Sequence, residues 1–196
     1  MGKIICLMGK SSTGKDTIFK ELLAEDALGL KTIVPYTTRP IRAGEKNGRE
    51  YFFASEADYQ RLKQENKIIE ERAYQTYYGL WRYFTVDDGQ IQLARENYIM
   101  IGTLEAYRNI KEYFGAERVL PIMIELNDGV RLQRALDREK QQESPGYEEM
   151  CRRFLADSID FSEEKKKEAG ITRCFYNDDL PSCLKEIKAY IAEAKD

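Results

Sequence analysis

A chain of 196 residues with 42% hydrophobic side chains is long enough to bury a core, as one domain or one domain with mobile inserts. Its 31 basic and 34 acidic residues leave a net charge of -3, which gives no general pull toward nucleic acid or an anionic membrane, so any anion site has to be a local cluster. Cys6, Cys151, Cys174 and Cys183 are widely spread and histidine is absent, which excludes a Cys/His zinc site and leaves Lys, Arg, carboxylates and a bound metal to carry chemistry.

The chain begins with an apolar strand, Ile4-Ile5-Cys6-Leu7-Met8, followed by Gly9-Lys10-Ser11-Ser12-Thr13-Gly14-Lys15-Asp16-Thr17 and a helical segment from Ile18 that ends near Leu28-Gly29-Leu30. Strand, glycine-rich loop and helix in this order form the setting of a phosphate-binding P-loop. Gly9 and Gly14 let the backbone curl, the helix N-terminus adds its positive dipole end, and Lys15 supplies a mobile point charge. The residue after the lysine is Asp16, where a hydroxyl would be offered to Mg²⁺.

A short β-branched strand at 31–34 leads into a segment containing Arg39, Arg42 and Arg49, two prolines and the turn dipeptide Asn47-Gly48. Arg39 and Arg42 can each grip a phosphate through a planar fork, with Tyr51 adding a hydroxyl; the same residues also suit a solvated hairpin. Ser55-Glu56-Ala57-Asp58 predicts a capped helix start, 68–74 a strand, and 77–79 a turn or strand edge. A helix is expected at 88–96. Strand 98–101, helix 104–114, strand 119–126 and helix 129–138 then alternate, which implies a parallel sheet covered on both faces. Residues 139–147 read as a polar loop, 148–167 as one helix, 172–176 as the last strand and 180–194 as the last helix.

With the P-loop, Thr37-Thr38-Arg39-Pro40, Arg42, Gly44-Glu45, Tyr51, Glu70, Tyr77-Tyr78-Gly79 and Asn177-Asp178-Asp179 in view, the chain resembles the guanylate kinase family over essentially its whole length. The resemblance implies an α/β fold with a P-loop NTPase-type parallel sheet, and a core of residues 1–32 and 86–196 that includes a lid at about 138–153. It also implies an inserted, mostly β monophosphate-binding domain at 33–85. ATP would sit on Gly9, Ser11, Ser12, Thr13, Gly14, Lys15, Asp16 and Thr17, with Asn177 near its base. Arg39, Arg42, Tyr51 and Tyr78 would hold the acceptor's phosphate. Glu70 would read guanine by accepting from N1–H and the exocyclic amine, with Glu71 as its possible substitute and Thr103 as a further contact. Arg138 and Arg153 would join Lys15, Arg39 and Arg42 in neutralising the transferring phosphates; Arg134 and Arg152 are further candidates.

The implied activity is in-line phosphoryl transfer from Mg-ATP to GMP or dGMP in a soluble cytoplasmic enzyme, monomeric or homodimeric, without nucleic-acid or membrane partners. Departures from the family pattern stand at Asp16, Pro35, Leu80, Ile101 and Thr103. Asp16 is the candidate Mg²⁺ ligand, compensating for the acid absent at Ile101. The alternatives are a kinase of another (deoxy)nucleoside monophosphate and a non-catalytic module that binds a phosphorylated ligand in the arginine-lined site.

Overall fold

Strand β1 (Ile4–Met8) is buried along its whole length, as expected of a central strand covered on both faces. Its side chains alternate: Ile4, Cys6 and Met8 join one apolar cluster, while Ile5 and Leu7 join another. The computed structural model of the chain describes residues 2–42, 44–76 and 79–194.

β1 lies at the middle of a five-stranded parallel sheet, with β7 (Asn97–Ile101) and β2 (Leu30–Thr32) on one side and β8 (Val119–Glu125) and β9 (Cys174–Tyr176) on the other. Helix α1 (Lys15–Leu23) and helix α7 (Leu180–Glu193) place Ile18, Leu22, Ile187 and Ile191 against one face. Helix α3 (Leu104–Phe114) covers the other with Leu104, Tyr107 and Ile110. The parallel sheet expected from the strand-helix alternation is thus present.

A second, four-stranded sheet runs in the order β4 (Phe52–Phe53), β3 (Tyr36–Thr37), β6 (Gly79–Val86), β5 (Ile68–Thr76). Helix α2 (Glu56–Gln64) starts at a reciprocal capping box between Ser55 and Asp58, and it packs Tyr59 and Leu62 against Phe84 and Val86. Register then fixes the opposite face. Glu70 pairs with Thr85 and Arg72 with Tyr83, so Glu70, Arg72, Tyr83 and Thr85 all point away from α2.

Helix α4 (Asp128–Lys140) and helix α5 (Tyr147–Asp160) are antiparallel neighbours joined across a short polar loop. Three expectations fail. Residues 88–96 are turns rather than a helix, because Asp88 accepts from the Gln90 N–H at 3.0 Å and Gly89 adopts φ 87°, local bonds that compete with a helical start. The stretch 148–167 is two helices, since Phe161 turns into the core and Ser162 caps a new helix, α6 (Glu163–Glu168). The first helix also stops earlier than expected, at Leu23, with a 3₁₀ turn at Asp26–Leu28 before Gly29.

Candidate active site

The loop at residues 9–17 leaves β1 and enters α1. Gly9 has φ 147°, and a Cβ there would meet the Ile124 carbonyl oxygen at 2.4 Å. Gly14 has φ 90°, with a virtual Cβ 2.3 Å from Asn177 Nδ2. Ser12, without glycine's freedom, is also left-handed at φ 64°.

Three loop carbonyls, the groups that would repel an anion, are taken by side-chain donors. Lys15 Nζ donates to the Lys10 carbonyl at 2.8 Å and Thr13 Oγ1 to the same oxygen at 2.9 Å. Arg131 Nε donates to the Ser11 carbonyl at 2.9 Å, and Asn177 Nδ2 to the Thr13 carbonyl at 2.7 Å. Burial pulls the Lys15 ammonium down to about 8, opposed by the nearby Asp16 and Asp157 carboxylates. Asp16 and Thr17 sit exposed in the first turn of α1.

Arg39 is buried beneath the rings of Tyr51 and Phe53, with its guanidinium 5.0 and 5.4 Å from their centroids. Glu45 holds it by a bidentate pair at 2.8 and 2.5 Å and also accepts from the Arg42 N–H at 2.8 Å. The Arg39 bond, with that N–H in support, keeps the Glu45 carboxyl down at about 2. Arg42 itself is exposed; Glu149, in the first turn of α5, is held in its charged form mainly by the Arg152 hydrogen bond, with Arg153 and Arg42 adding to it. Arg39 is therefore buried and fixed, while Arg42, Arg49 and most of the described residues around them stay exposed. Tyr78, the fourth expected phosphate contact, lies outside the described residues.

Glu70 is buried on the face of the second sheet turned away from α2, near Cys6 of β1. Its carboxylate accepts from the Thr85 hydroxyl at 2.8 Å and from Arg72 Nε at 3.1 Å. Glu71 faces the other way and is held by Tyr59 and Lys63. Thr103 caps α3, its oxygen accepting from the Ala106 N–H at 3.2 Å.

Arg138 and Arg153 line a cavity of about 170 Å³ together with Ser11 and Ser12 of the loop. Arg134 reaches the same loop, with Nη1 3.9 Å from a virtual Cβ on Gly14, while Arg152 is exposed and paired to Glu149. Asn177, expected beside the donor's base, is buried and commits its amide to the loop backbone. Sequence reasoning missed Arg72, Arg131, Asp128 and Asp157. Of these only Arg72 carried a signal, because residues two apart on a strand share a face.

A glycine-rich loop at a helix N-terminus with Arg138 and Arg153 across a cavity from Ser11 and Ser12 is an arrangement that suits a phosphate chain. A family model described as Guanylate kinase matches residues 1–88. A guanylate kinase from Porphyromonas gingivalis is 30% identical, aligned over 98% of this chain and 98% of that protein. One from Mycoplasma mobile is 31% identical over 95% of this chain and 90% of that protein. The crystal structure of guanylate kinase from Anaplasma phagocytophilum matches with a TM-score of 0.66 over 100% of this chain and 87% of that one, and its 21% identity speaks for the fold alone. With the glycine-rich loop and relatives that align over nearly their whole length in agreement, the chain belongs to the guanylate kinase family.

Proposed function

We propose that this chain transfers the terminal phosphoryl group of ATP to GMP or dGMP. The observation that carries the reaction class is the cavity where Ser11 and Ser12 of the donor loop meet Arg138 and Arg153 of α4 and α5. The full-length relatives named guanylate kinase support guanine as the acceptor base. Residues 1–32 and 86–196 form the donor-binding core, 33–85 the inserted acceptor domain, and 138–153 the lid.

In this reading the loop N–H groups and Lys15 bind the donor phosphates, while Arg39, Arg42, Tyr51 and Tyr78 bind the acceptor phosphate. The acceptor is already an oxyanion, so no strong general base is needed, in keeping with a chain that lacks histidine. Arg138 and Arg153 approach from the lid and stabilise charge on the group in transit. Lid closure excludes water, the competing acceptor.

Among the described residues no cluster of three or more acids, cysteines or histidines could cage a metal. One exposed carboxylate beside the phosphate loop fits Mg²⁺, which keeps several waters and takes most of its other ligands from substrate phosphates. Asp16 is that carboxylate, and bound Mg²⁺ would neutralise phosphate charge. Among the described residues no helix is long and apolar enough to cross a membrane.

The test is a coupled ADP-release assay with Mg-ATP against GMP, dGMP, AMP, CMP, UMP and dTMP, with Lys15→Ala as control. Turnover with the two guanine nucleotides, lost in the variant, supports the reading; turnover with another acceptor alone overturns the guanine assignment.

A further inference from the structure

The Arg131 side chain is fully buried in α4, an unusual place for a guanidinium, and it is shared among three elements. Its Nε donates to the Ser11 carbonyl at 2.9 Å, its Nη2 lies 3.2 Å from Asp157 Oδ2 on α5, and its Nη1 bonds Asp128 in the first turn of α4. The guanidinium also lies 4.8 Å from the centroid of Phe154. Asp157 in turn reaches the loop: its Oδ2 accepts from the Ser11 N–H at 2.6 Å. Asp128 carries the chain of charges back to the loop through Lys10 Nζ at 3.4 Å.

One ion pair, between the buried Arg131 and the partly buried Asp157, therefore holds both peptide groups that flank the Ser11 Cα, the N–H through Asp157 and the carbonyl through Arg131. Ser11 immediately precedes Ser12, the loop residue that is left-handed without being glycine. A buried ion pair is weak evidence for stability, since apolar side chains of similar volume often replace one without loss. Here the pair is spent on the orientation of two backbone planes in the donor loop.

Two consequences differ between the partners. Removing Asp157 frees the Ser11 N–H and loosens the loop. Removing Arg131 also leaves an unneutralised carboxylate beside the site for the donor's phosphates.

We infer that Arg131 and Asp157 are a positioning pair for the donor loop, fixing the two peptides that flank the Ser11 Cα so that the N–H groups beyond them are presented to phosphate, and tying lid helix α5 to the loop. The inference rests on the reading of residues 9–17 as the donor-phosphate loop.

The experiment measures the Kd of Mg-ATP by titration calorimetry, the KM for GMP, and thermal melting for the parent, Asp157→Ala, Arg131→Met and the double variant. Asp157→Asn, nearly isosteric, stands in if the alanine variant does not fold. The expected result is a Kd raised about tenfold in Asp157→Ala and further in Arg131→Met, the loss of one or two charge-assisted hydrogen bonds, with the KM for GMP changed less than about twofold. The double variant regains the parent's melting temperature but not its Kd, which separates positioning from a merely structural role.

A folded Asp157→Ala or Asp157→Asn variant that binds Mg-ATP as well as the parent, or better, overturns the inference, as does a double variant that recovers the parent Kd. A parent that binds Mg-ATP with this dependence yet fails to phosphorylate GMP overturns the function proposed above while leaving the pair's role standing. A parent that does not bind Mg-ATP overturns both.

Discussion

Arg72 lies two residues along β5 from Glu70 and covers it, with its Nε 3.1 Å from the carboxylate and the Glu70 side chain left with no solvent exposure. The base-reading acid proposed for this site is thus already paired, to a guanidinium above and to Thr85 beside it. Removing Arg72 strands a buried charge. Arg72→Met is expected to lower stability by about 3 kcal/mol, read from urea denaturation. Glu70→Gln, which retains an oxygen for Thr85, is expected to lower kcat/KM for GMP by about tenfold to a hundredfold with little change in the KM for ATP. Equal loss toward every acceptor would remove Glu70 from base recognition.

Lys15 gives a pH prediction. Burial lowers it from 10.5 to about 8, so in the nucleotide-free protein its charge is present below pH 8 and lost above it. Mg-ATP affinity should therefore fall as pH rises through about 8, and the Lys15→Ala variant should bind weakly without this inflection. The same shift acts on folding with the opposite sign: between about pH 8 and 10.5 the unfolded chain holds the proton that the folded chain has released, so the Lys15 contribution to stability rises with pH in that window.

Glu45 orients Arg39, and its substitution should be felt by the acceptor rather than the donor. Glu45→Ala leaves a buried guanidinium without its bidentate partner, and the KM for GMP is expected to rise about tenfold with the Kd of Mg-ATP unchanged. Because the Glu45 carboxyl is held down at about 2, the contribution of this pair to stability is full above the ordinary carboxylate range near 4.5 and fades as pH falls toward 2. Acid unfolding of Glu45→Gln compared with the parent measures it.

Gly14 and Asn177 form a steric couple. Gly14→Ala places a methyl 2.3 Å from Asn177 Nδ2 at φ 90°, so the asparagine has to leave the Thr13 carbonyl. Donor binding is expected to fall by about a hundredfold, and Asn177→Ala added to it should restore little, because the backbone strain remains. A full rescue, seen in nucleotide titration, would mean that the clash alone was responsible.

The donor loop and its flanking strand and helix were legible because their signals are local: two glycines, a lysine and an apolar run in one stretch of chain. The Ser55 cap was legible for the same reason. Asp88-Gly89-Gln90 misled because helix-forming neighbours outweighed one side-chain-to-backbone bond that only the structure displays. Arg131 and Asp157 were not legible at all. Each sits on a charged helix where it resembles solvated surface, and only the packing of α4 on α5 beside the loop buries Arg131 and brings the partly buried Asp157 to it. Arg72 could have been found from strand alternation, since it shares a face with Glu70 whenever 68–76 is a strand.

The clamp of Asn177 on Thr13 spans 164 positions of sequence. Its backbone N–H is held at 2.9 Å by the Glu125 carbonyl at the end of β8, so the clamp exists only once β8 and β9 have joined the sheet. The loop at residues 9–17 thus takes one of its side-chain clamps from a residue far along the chain, on the far side of the sheet's assembly. Without β9 the loop would keep its bonds to Lys15, Arg131 and Asp157 and lose the one on the Thr13 carbonyl, so that part of its shape waits on completion of the sheet.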